Sequence, residues 1–355
     1  MYIIIYNYMR KRNKYKFKKF WILLFFNKYY GFIKRTNSKI IIICLFLFML
    51  TNPEYFKVKI NYLNYINVAY AFDNIYYYIA HVSMKSIMLN QKTNTFIIFH
   101  ILVSLDIFKE QKEVIDKICL EHKNCKIIYH LLTNEFKKFN VKGRIIKTTA
   151  VFYRLLLQNI ITNEKKVLYF DCDTLIYRDL NEIYNYNITD KYYIGQFEGK
   201  PLKKYGNNLN DFINSGVMLI NLENLRKDNI FDKMLDFLKN NKNLEYLDQD
   251  AINVVCNKKN GFFPSNYISF GICNIKLFQK KINSKNNNTN VINNNPYIFH
   301  FKKYKKPWLG ISDDNNLICY DQLTRFYEFA RKTNYYFEIL NKFTVLKNNL
   351  FDTKS

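Results

Sequence analysis

The residues Lys165–Leu180, with the sequence KKVLYFDCDTLIYRDL, predict the central element of the fold. Val167–Phe170 is a compact β-branched and aromatic run, which is typical of a strand buried on both faces of a sheet. The run ends in two carboxylates, Asp171 and Asp173. Ligands of open α/β sheets bind outside the carboxyl ends of the strands, so the sequence predicts that both side chains lie in a ligand crevice.

The spacing of the two aspartates points to a cation. Alternate residues of an extended segment face the same way, so Asp171 and Asp173 can converge on one ion, while Cys172 points into the packing of the sheet. Oxygen ligands of this kind suit Mg²⁺ or Mn²⁺, which often accompany a phosphorylated substrate. Taken alone, the Asp-x-Asp pattern also fits a solvated turn after a strand.

Positive charge is concentrated at one end of the chain. The formal net charge is +25 over 355 residues, and Met1–Pro53 contains 11 Lys and Arg residues and no acidic residue. A basic stripe with aromatic residues, Lys14–Phe20, fits RNA, but no zinc spacing or other nucleic-acid motif accompanies it. We therefore expect no nucleic-acid partner and favour an anionic membrane surface.

The same region has two short apolar runs, Phe20–Phe26 and Ile40–Leu50. Neither reaches the roughly 18 residues needed to span a bilayer, although the second has the length of a signal-peptide core. We interpret residues 1–60 as a membrane-associating leader at the cytoplasmic face, with a weak signal anchor into an endomembrane lumen, or a start codon assigned too early, as alternatives.

Strands alternate with helices over the rest of the chain. Strands are predicted at Ile66–Ala71, Thr95–Val103, Cys125–Leu131, Val167–Phe170, Tyr192–Gly195, Phe212–Leu222 and Tyr297–His300. Helices are predicted after Asp73-Asn74, with Ile79, Val82, Ser86 and Leu89 inward, at Asp106–Glu121, with Ile107, Ile115 and Ile118 inward, at Thr148–Ile161 and Asn229–Lys239, and from Leu247. This order predicts an α/β fold with a mostly parallel sheet covered on both faces.

Two further segments and the cysteines complete the organisation. Residues 280–295 are rich in Asn, Lys and Ser and are predicted to be a flexible insertion. Residues 311–355 are predicted to form a basic, aromatic, helical segment, of which Phe326–Phe351 has no obvious place in the catalytic core. The seven cysteines form no Cys-x-x-Cys pair and no cluster, so we expect reduced, mostly buried thiols rather than disulfides.

Four motifs in order carry a resemblance to a known family. They are Asp171-Cys-Asp173, Asn214-Ser-Gly216-Val, Leu247-Asp-Gln-Asp250 and His300 followed by Lys306 and Trp308, with Tyr153-Arg-Leu155 ahead of them. Together they resemble family-eight retaining glycosyltransferases, which include bacterial lipopolysaccharide galactosyl- and glucosyltransferases and glycogenin. The resemblance covers about Asn67–Trp308 and implies a Rossmann-like GT-A domain over residues 64–310.

The resemblance also implies roles for single residues. Asp171, Asp173 and His300 match ligands of Mn²⁺, for which Mg²⁺ is the alternative. Residues that match donor-binding positions are Ala71, Asp73, Asn74, Arg154, Asp171, Asn214, Asp248 and Lys306. Gln249 and Asp250 match positions at the reacting sugar, and for Asp250 helix capping remains an alternative. The implied substrates are a UDP-hexose donor and a glycan or glycolipid acceptor.

The implied chemistry is transfer of galactose or glucose with retention of configuration. A divalent ion and Lys306 would stabilise the charge that develops on the departing diphosphate. Two positions depart from the family pattern: Phe72 replaces a carboxylate in the first βα turn, and Lys303 replaces a glycine. A metal-dependent nucleotidyltransferase and a non-enzymatic basic membrane or RNA-binding protein are the alternative functions.

Overall fold

A computed structural model describes most of the chain after residue 63. The described residues are 64–133 except 75, 136, 149–198, 212–241, 244–270, 296–301, 306 and 320–341. The chain divides into two units, residues 1–62 and 63–355, and the described residues belong to the second. The predicted leader and the Asn-rich insertion at 280–295 lie outside the described residues.

Seven of the described strands form one sheet, in the order β3-β2-β1-β4-β7-β6-β8. The strands are β1 Asn64–Ala71, β2 Thr95–Ser104, β3 Cys125–Leu132, β4 Lys166–Phe170, β5 Thr174–Ile176, β6 Tyr193–Phe197, β7 Ile213–Asn221, β8 Asn260–Phe262, β9 Ile268–Phe270 and β10 Ile298–His300. Neighbours are parallel except at β4–β7 and β7–β6. The predicted mostly parallel α/β sheet is therefore confirmed.

The direction of β7 determines which residues meet at the end of β4. The two strands are antiparallel, with Phe170 opposite Val217, and the backbone N–H of Asp171 donates to the carbonyl of Gly216 at 2.7 Å. The start of β7 thus lies beside the carboxyl end of β4. Sequence periodicity does not reveal this direction, because a buried strand has the same composition in either orientation.

Helices cover both faces of the large sheet. They are α1 Tyr77–Asn90, α2 Leu105–Glu121, the 3₁₀ helix Thr149–Leu156, α3 Leu157–Ile160, α4 Asn181–Tyr184, α5 Leu222–Lys227, α6 Ile230–Asn240, α7 Asp248–Val255 and α8 Tyr320–Ala330. One core cluster joins the sheet to α1, α2 and α8, and the other joins it to the 3₁₀ helix and α5–α7. Burial on both faces explains the continuous apolar strands.

A small second sheet, in the order β5-β10-β9, brings the third metal candidate to the aspartates. His300 at the end of β10 is paired with Thr174, and the N–H of Phe301 donates to the carbonyl of Asp173 at 2.9 Å. Residues separated by more than 120 positions in the sequence therefore become neighbours. This pairing places His300 of β10 beside the carboxyl end of β4.

Two predicted helices differ in detail. The first begins at Tyr77, after the turn that contains Asp73 and Asn74, and Leu89 is exposed instead of inward. The segment predicted as one helix at Thr148–Ile161 is a 3₁₀ helix followed by the single turn of α3. Ile115 and Ile118 of α2 are buried as predicted, and the side chain of Ile107 lies outside the described part of the chain.

The segment after residue 311 was expected to have no place in the core, and this expectation is wrong for its described part. Phe326 and Phe329 of α8 are buried, and α8 packs against α1. Beyond α8, the Tyr335 ring lies edge-on to the His81 ring at 5.2 Å between centroids. Because α8 covers its outer face, α1 is buried on nearly every side, which its sequence pattern alone did not indicate.

The expectation that the cysteines are all reduced is also wrong. Cys119 and Cys125 form a disulfide, because the short turn from α2 to β3 brings their Cα atoms to 5.4 Å. Cys172 and Cys256 are free and buried, as predicted for structural thiols. The other three cysteines lie outside the described residues.

Candidate active site

Three metal-ligating side chains converge at the carboxyl end of β4. Ligand atoms of Asp171, Asp173 and His300 all lie within 4.8 Å of one another, and among the described residues no other group of three His, Cys, Asp or Glu side chains does so. The Nε2 atom of His300 is 3.3 Å from Oδ1 of Asp173 and 3.9 Å from Oδ2 of Asp171. Two carboxylates and one imidazole form a donor set that suits a divalent cation.

Gly216 provides the space in which these ligands approach each other. A Cβ atom at this position would lie 2.3 Å from Cε1 of His300 and 2.6 Å from Oδ2 of Asp171. The Asn-Ser-Gly motif of β7 therefore forms one wall of the cluster. The residues present fit a divalent cation, because the donor atoms converge and no side chain from β7 fills the space between them.

Arg154 holds Asp171 from the opposite side. Its Nη2 atom is 2.8 Å from Oδ1 of Asp171, its Nε atom is 3.1 Å from Oδ2 of Asp248, and Nη1 donates to the carbonyl of Ser215 at 2.5 Å. The guanidinium also stacks on the Tyr169 ring at 4.5 Å. Burial would lower the pKa of Arg154, but the two carboxylates raise it, so this side chain stays charged.

Lys306 reaches the cluster from beyond β10. Its Nζ atom is 2.5 Å from Oδ2 of Asp173 and 5.9 Å from the centre of the Tyr76 ring. Burial would raise the pKa of Asp173, but Lys306 and His300 lower it well below its usual range. Asp173 is therefore a buried carboxylate that stays ionised, as a metal ligand must be.

Polar residues that match the donor sugar positions lie next to the metal cluster. The Oε1 atom of Gln249 accepts from the backbone N–H of Ser215 at 3.0 Å and from Nδ2 of Asn214 at 3.3 Å. Nδ2 of Asn214 also donates to Glu198 at 3.0 Å. The start of β7 therefore joins the metal end to the residues that resemble the reacting-sugar positions.

The start of α7 has an unusual backbone. Leu247 has φ 54° and ψ −112°, a conformation that is costly for a branched side chain and typical of functional sites. This turn directs the buried Asp248 toward Arg154, and burial raises the pKa of Asp248 to about 6. Asp250 is fully buried and accepts hydrogen bonds from the backbone N–H groups of Glu245 and Tyr246. These bonds favour helix capping, the structural alternative to a role at the reacting sugar.

The first βα turn lies close to the same edge. Ala71 ends β1, and its carbonyl accepts from the thiol of Cys172, while Asp73 is buried and Asn74 is exposed. Phe72, which replaces a family carboxylate, is buried in the apolar core on the α1 side. The donor-binding roles of Asp73 and Asn74 remain predictions.

Sequence reasoning did not single out Ser215, Tyr76 or Glu198 as site residues. Ser215 is buried and contacts both Arg154 and Gln249. Its position inside the Asn-Ser-Gly motif was a usable signal, whereas Glu198 and Tyr76 stand in segments with no recognisable pattern. Trp308 and Lys303 lie outside the described residues.

The fold and the site together define a GT-A glycosyltransferase. The chain matches two crystal structures of the galactosyltransferase LgtC, an active-site mutant and a complex with donor and acceptor sugar analogs, each with TM-score 0.59, 21% identity and coverage of 76% of this chain and 96% of LgtC. At this identity the likeness supports the fold alone.

The chain belongs to glycosyl transferase family 8, whose family model matches residues 67–312. A putative glycosyltransferase of Haemophilus influenzae is 30% identical over 61% of this chain and 66% of its own length. A lipopolysaccharide 1,2-glucosyltransferase of Escherichia coli is 27% identical over 71% of this chain and 75% of its own length. The predicted family and the predicted class of enzyme are therefore confirmed.

Proposed function

We propose that the protein transfers galactose or glucose from a UDP-sugar to a glycan or glycolipid acceptor, with retention of configuration and with Mn²⁺ or Mg²⁺ as cofactor. The observation that carries this proposal is the convergence of Asp171, Asp173 and His300 within 4.8 Å beside Lys306. A relative whose name includes glucosyltransferase supports a hexose as the transferred sugar.

The candidate residues form two groups, one at the cation and diphosphate end of the site and one at the donor-sugar end. Asp171, Asp173 and His300 would hold the cation, which supplies positive charge for the diphosphate as it departs. Lys306 carries an ammonium to the same place, so a strong acid on the leaving group is unnecessary. The donor sugar would bind at Asn214 and the start of α7.

At the sugar end, the two residues that match reacting-sugar positions are poor nucleophiles. Gln249 is an amide and Asp250 uses one carboxylate oxygen to hold the preceding turn. A sugar with oxocarbenium character therefore has no obvious strong nucleophile among these two residues. Attack of the acceptor on the same face as the departing diphosphate, assisted by its phosphate oxygen and by Gln249, is the route we favour.

A donor-hydrolysis screen tests this function directly. UDP-glucose, UDP-galactose and other UDP-sugars are incubated with and without Mn²⁺, and the release of UDP is measured. We expect the protein to release UDP from at least one UDP-hexose only when the cation is present. The Asp173→Ala variant should release no UDP and should also lose Mn²⁺-dependent UDP binding in calorimetry. Release of hexose 1-phosphate instead of UDP, which results from attack at the α-phosphorus, would favour a nucleotidyltransferase.

Stereochemistry provides the second test. NMR of the product formed with an acceptor gives the anomeric configuration of the new glycosidic bond, which does not mutarotate. A product with the configuration of the donor is expected, because the four motifs resemble those of family-eight retaining glycosyltransferases. An inverted product would refute the proposed mechanism and leave the assignment of the cation site standing.

We also propose that the enzyme works as a peripheral protein at an anionic membrane, on its cytoplasmic face. Residues 1–53 carry 11 basic and no acidic residues, and each basic residue near an anionic surface contributes about 1 kcal/mol. Within the described ranges no helix is long and apolar enough to cross a bilayer. High salt should partly release the full-length protein from anionic liposomes, and deletion of residues 1–60 should remove most of the binding. Binding that resists salt and carbonate would contradict a peripheral mode.

A further inference from the structure

One of the three candidate metal ligands is shared with a lysine. The two oxygens of Asp173 have different partners: Oδ1 lies 3.3 Å from Nε2 of His300, and Oδ2 lies 2.5 Å from Nζ of Lys306. The side chain of Asp173 is 8% exposed and that of Lys306 is 20% exposed. A cation that binds Asp173 therefore meets a positive charge already in contact with its ligand.

The formal charges of the cluster show why the contact between Lys306 and Asp173 opposes binding of a cation alone. The carboxylates of Asp171 and Asp173 are each paired with one cation, Arg154 at 2.8 Å and Lys306 at 2.5 Å. Asp248 lies 3.1 Å from Arg154 and adds a third carboxylate, so these five side chains carry a formal charge of −1 when all are ionised. A divalent cation alone turns this charge positive in a mostly buried place, where charge is costly, whereas the negative charge of a diphosphate bound with the cation offsets it.

Arg154 and Lys306 differ in how easily each can move away from its carboxylate. Arg154 is buried and fixed by Asp171, Asp248, the Ser215 carbonyl and the ring of Tyr169. Lys306 carries a compact charge on a flexible four-carbon stem with three donors, so its ammonium can move by several ångströms without moving the backbone. Lys306 is therefore the group able to leave its carboxylate.

We propose that Lys306 competes with the divalent cation for Asp173 and leaves this carboxylate only for a nucleotide diphosphate, so that cation and nucleotide bind as a coupled pair. This inference rests on the proposed function, because it requires a diphosphate donor. Coupling between two ligands is reciprocal: the factor by which UDP strengthens cation binding equals the factor by which the cation strengthens UDP binding. Lys306 is then a positioning residue for the cation as well as a phosphate contact.

The test measures Mn²⁺ binding, by calorimetry or by electron paramagnetic resonance of free Mn²⁺, with and without saturating UDP. In the unmodified protein we expect UDP to strengthen Mn²⁺ binding by about 10-fold or more. In Lys306→Gln, Mn²⁺ alone should bind about 5- to 10-fold more tightly than in the unmodified protein, and UDP should strengthen it less. Lys306→Arg keeps the charge and should retain weak binding of Mn²⁺ alone.

A charge-matched control removes a lysine elsewhere. Lys112→Gln deletes one positive charge from the surface of α2, where Lys112 pairs with Asp116, and should leave both Mn²⁺ affinities unchanged. If Lys306→Gln binds Mn²⁺ alone no more tightly than the unmodified protein, the inference is overturned, while UDP-dependent Mn²⁺ binding preserves the proposed function. Absence of Mn²⁺ binding in the unmodified protein even with UDP would refute both.

Discussion

The substitution Gly216→Ala tests whether β7 shapes the metal cluster. The added Cβ would lie 2.3 Å from Cε1 and 2.9 Å from Nε2 of His300, and 2.6 Å from Oδ2 of Asp171. Gly216 does not have a positive φ that alanine would avoid. The substitution therefore acts through the two ligand side chains and not through the backbone conformation.

The size of the effect follows from these distances. Ordinary contact between carbon atoms begins at about 3.5 Å, so the His300 ring must move away from the added Cβ by about 1 Å. Metal–ligand distances tolerate deviations of only about 0.2 Å, and this retreat is several times larger. We expect Mn²⁺ affinity in the presence of UDP to fall by about 10- to 100-fold, the range found when the support of a metal ligand is lost. Overpacking should also lower the free energy of unfolding by about 1–3 kcal/mol.

Isothermal titration of Mn²⁺ into protein with saturating UDP measures this loss. Gly261→Ala is the matched glycine control, because its Cβ would meet only ordinary contacts at 3.4 Å or more on the edge strand β8. Val217→Ala is the stability control, because Val217 is the neighbour of Gly216 in β7 and is buried in the core. It should destabilise the fold without weakening Mn²⁺ binding.

Mn²⁺ affinity in Gly216→Ala equal to that of Gly261→Ala would refute this reasoning, because the His300 ring and the Asp171 carboxylate would then not both be ligands. A loss of affinity equal to that in Val217→Ala would also refute it, since the loss would then follow general destabilisation. A selective loss in Gly216→Ala supports the assignment of both side chains.

Three further predictions concern catalysis, pH and the end of the chain. Gln249→Ala should lower kcat by about 100-fold and change the donor KM much less, because the amide is placed to act at the reacting sugar; near-normal turnover would reduce it to a structural residue. Burial lowers the pKa of His81 and His100 to about 4 from 6.5 and also lowers the pKa of His122 and His130, so the unfolded chain binds at least two more protons between these pH values, and Asp248, with its pKa raised to about 6, offsets one. The free energy of unfolding in urea should therefore fall by about 4 kcal/mol from pH 6.5 to 4, and a flat profile would contradict neutral buried histidines. Deletion of residues 320–355 should lower it by more than about 3 kcal/mol, because α8 buries Phe326 beside Phe301 and Phe329 beside Tyr177, and unchanged thermal unfolding would exclude this packing.

Local sequence was sufficient for the elements of the fold. The strands at Val167–Phe170 and Thr95–Val103 were predicted within two residues, because β-branched and aromatic runs between turn residues have few alternatives. The position of Asp171 and Asp173 at a strand end followed from the same pattern. The order of four motifs identified the family, although each motif alone was weak.

The tertiary structure decided which of these residues meet. Nothing local to β7 indicates that it runs antiparallel to β4, yet this direction places Gly216 against the metal ligands. The pairing of Lys306 with Asp173, and that of Arg154 with Asp248, joins residues about 100 positions apart. Such contacts arise from the packing of whole elements, which a period of 2 or 3.6 residues does not encode.

The same reason explains the two wrong expectations. The Phe and Tyr residues after residue 311 indicate burial but not where in the fold they are buried, so the segment looked unrelated to the core. Only the assembled fold shows that the segment packs against α1. The cysteines looked dispersed because spacing does not report distance across a turn, whereas the end of α2 and the start of β3 bring Cys119 and Cys125 together. The sequence by itself determined which residues are buried, charged or extended, and the tertiary structure determined their neighbours, because neighbours depend on strand order and direction.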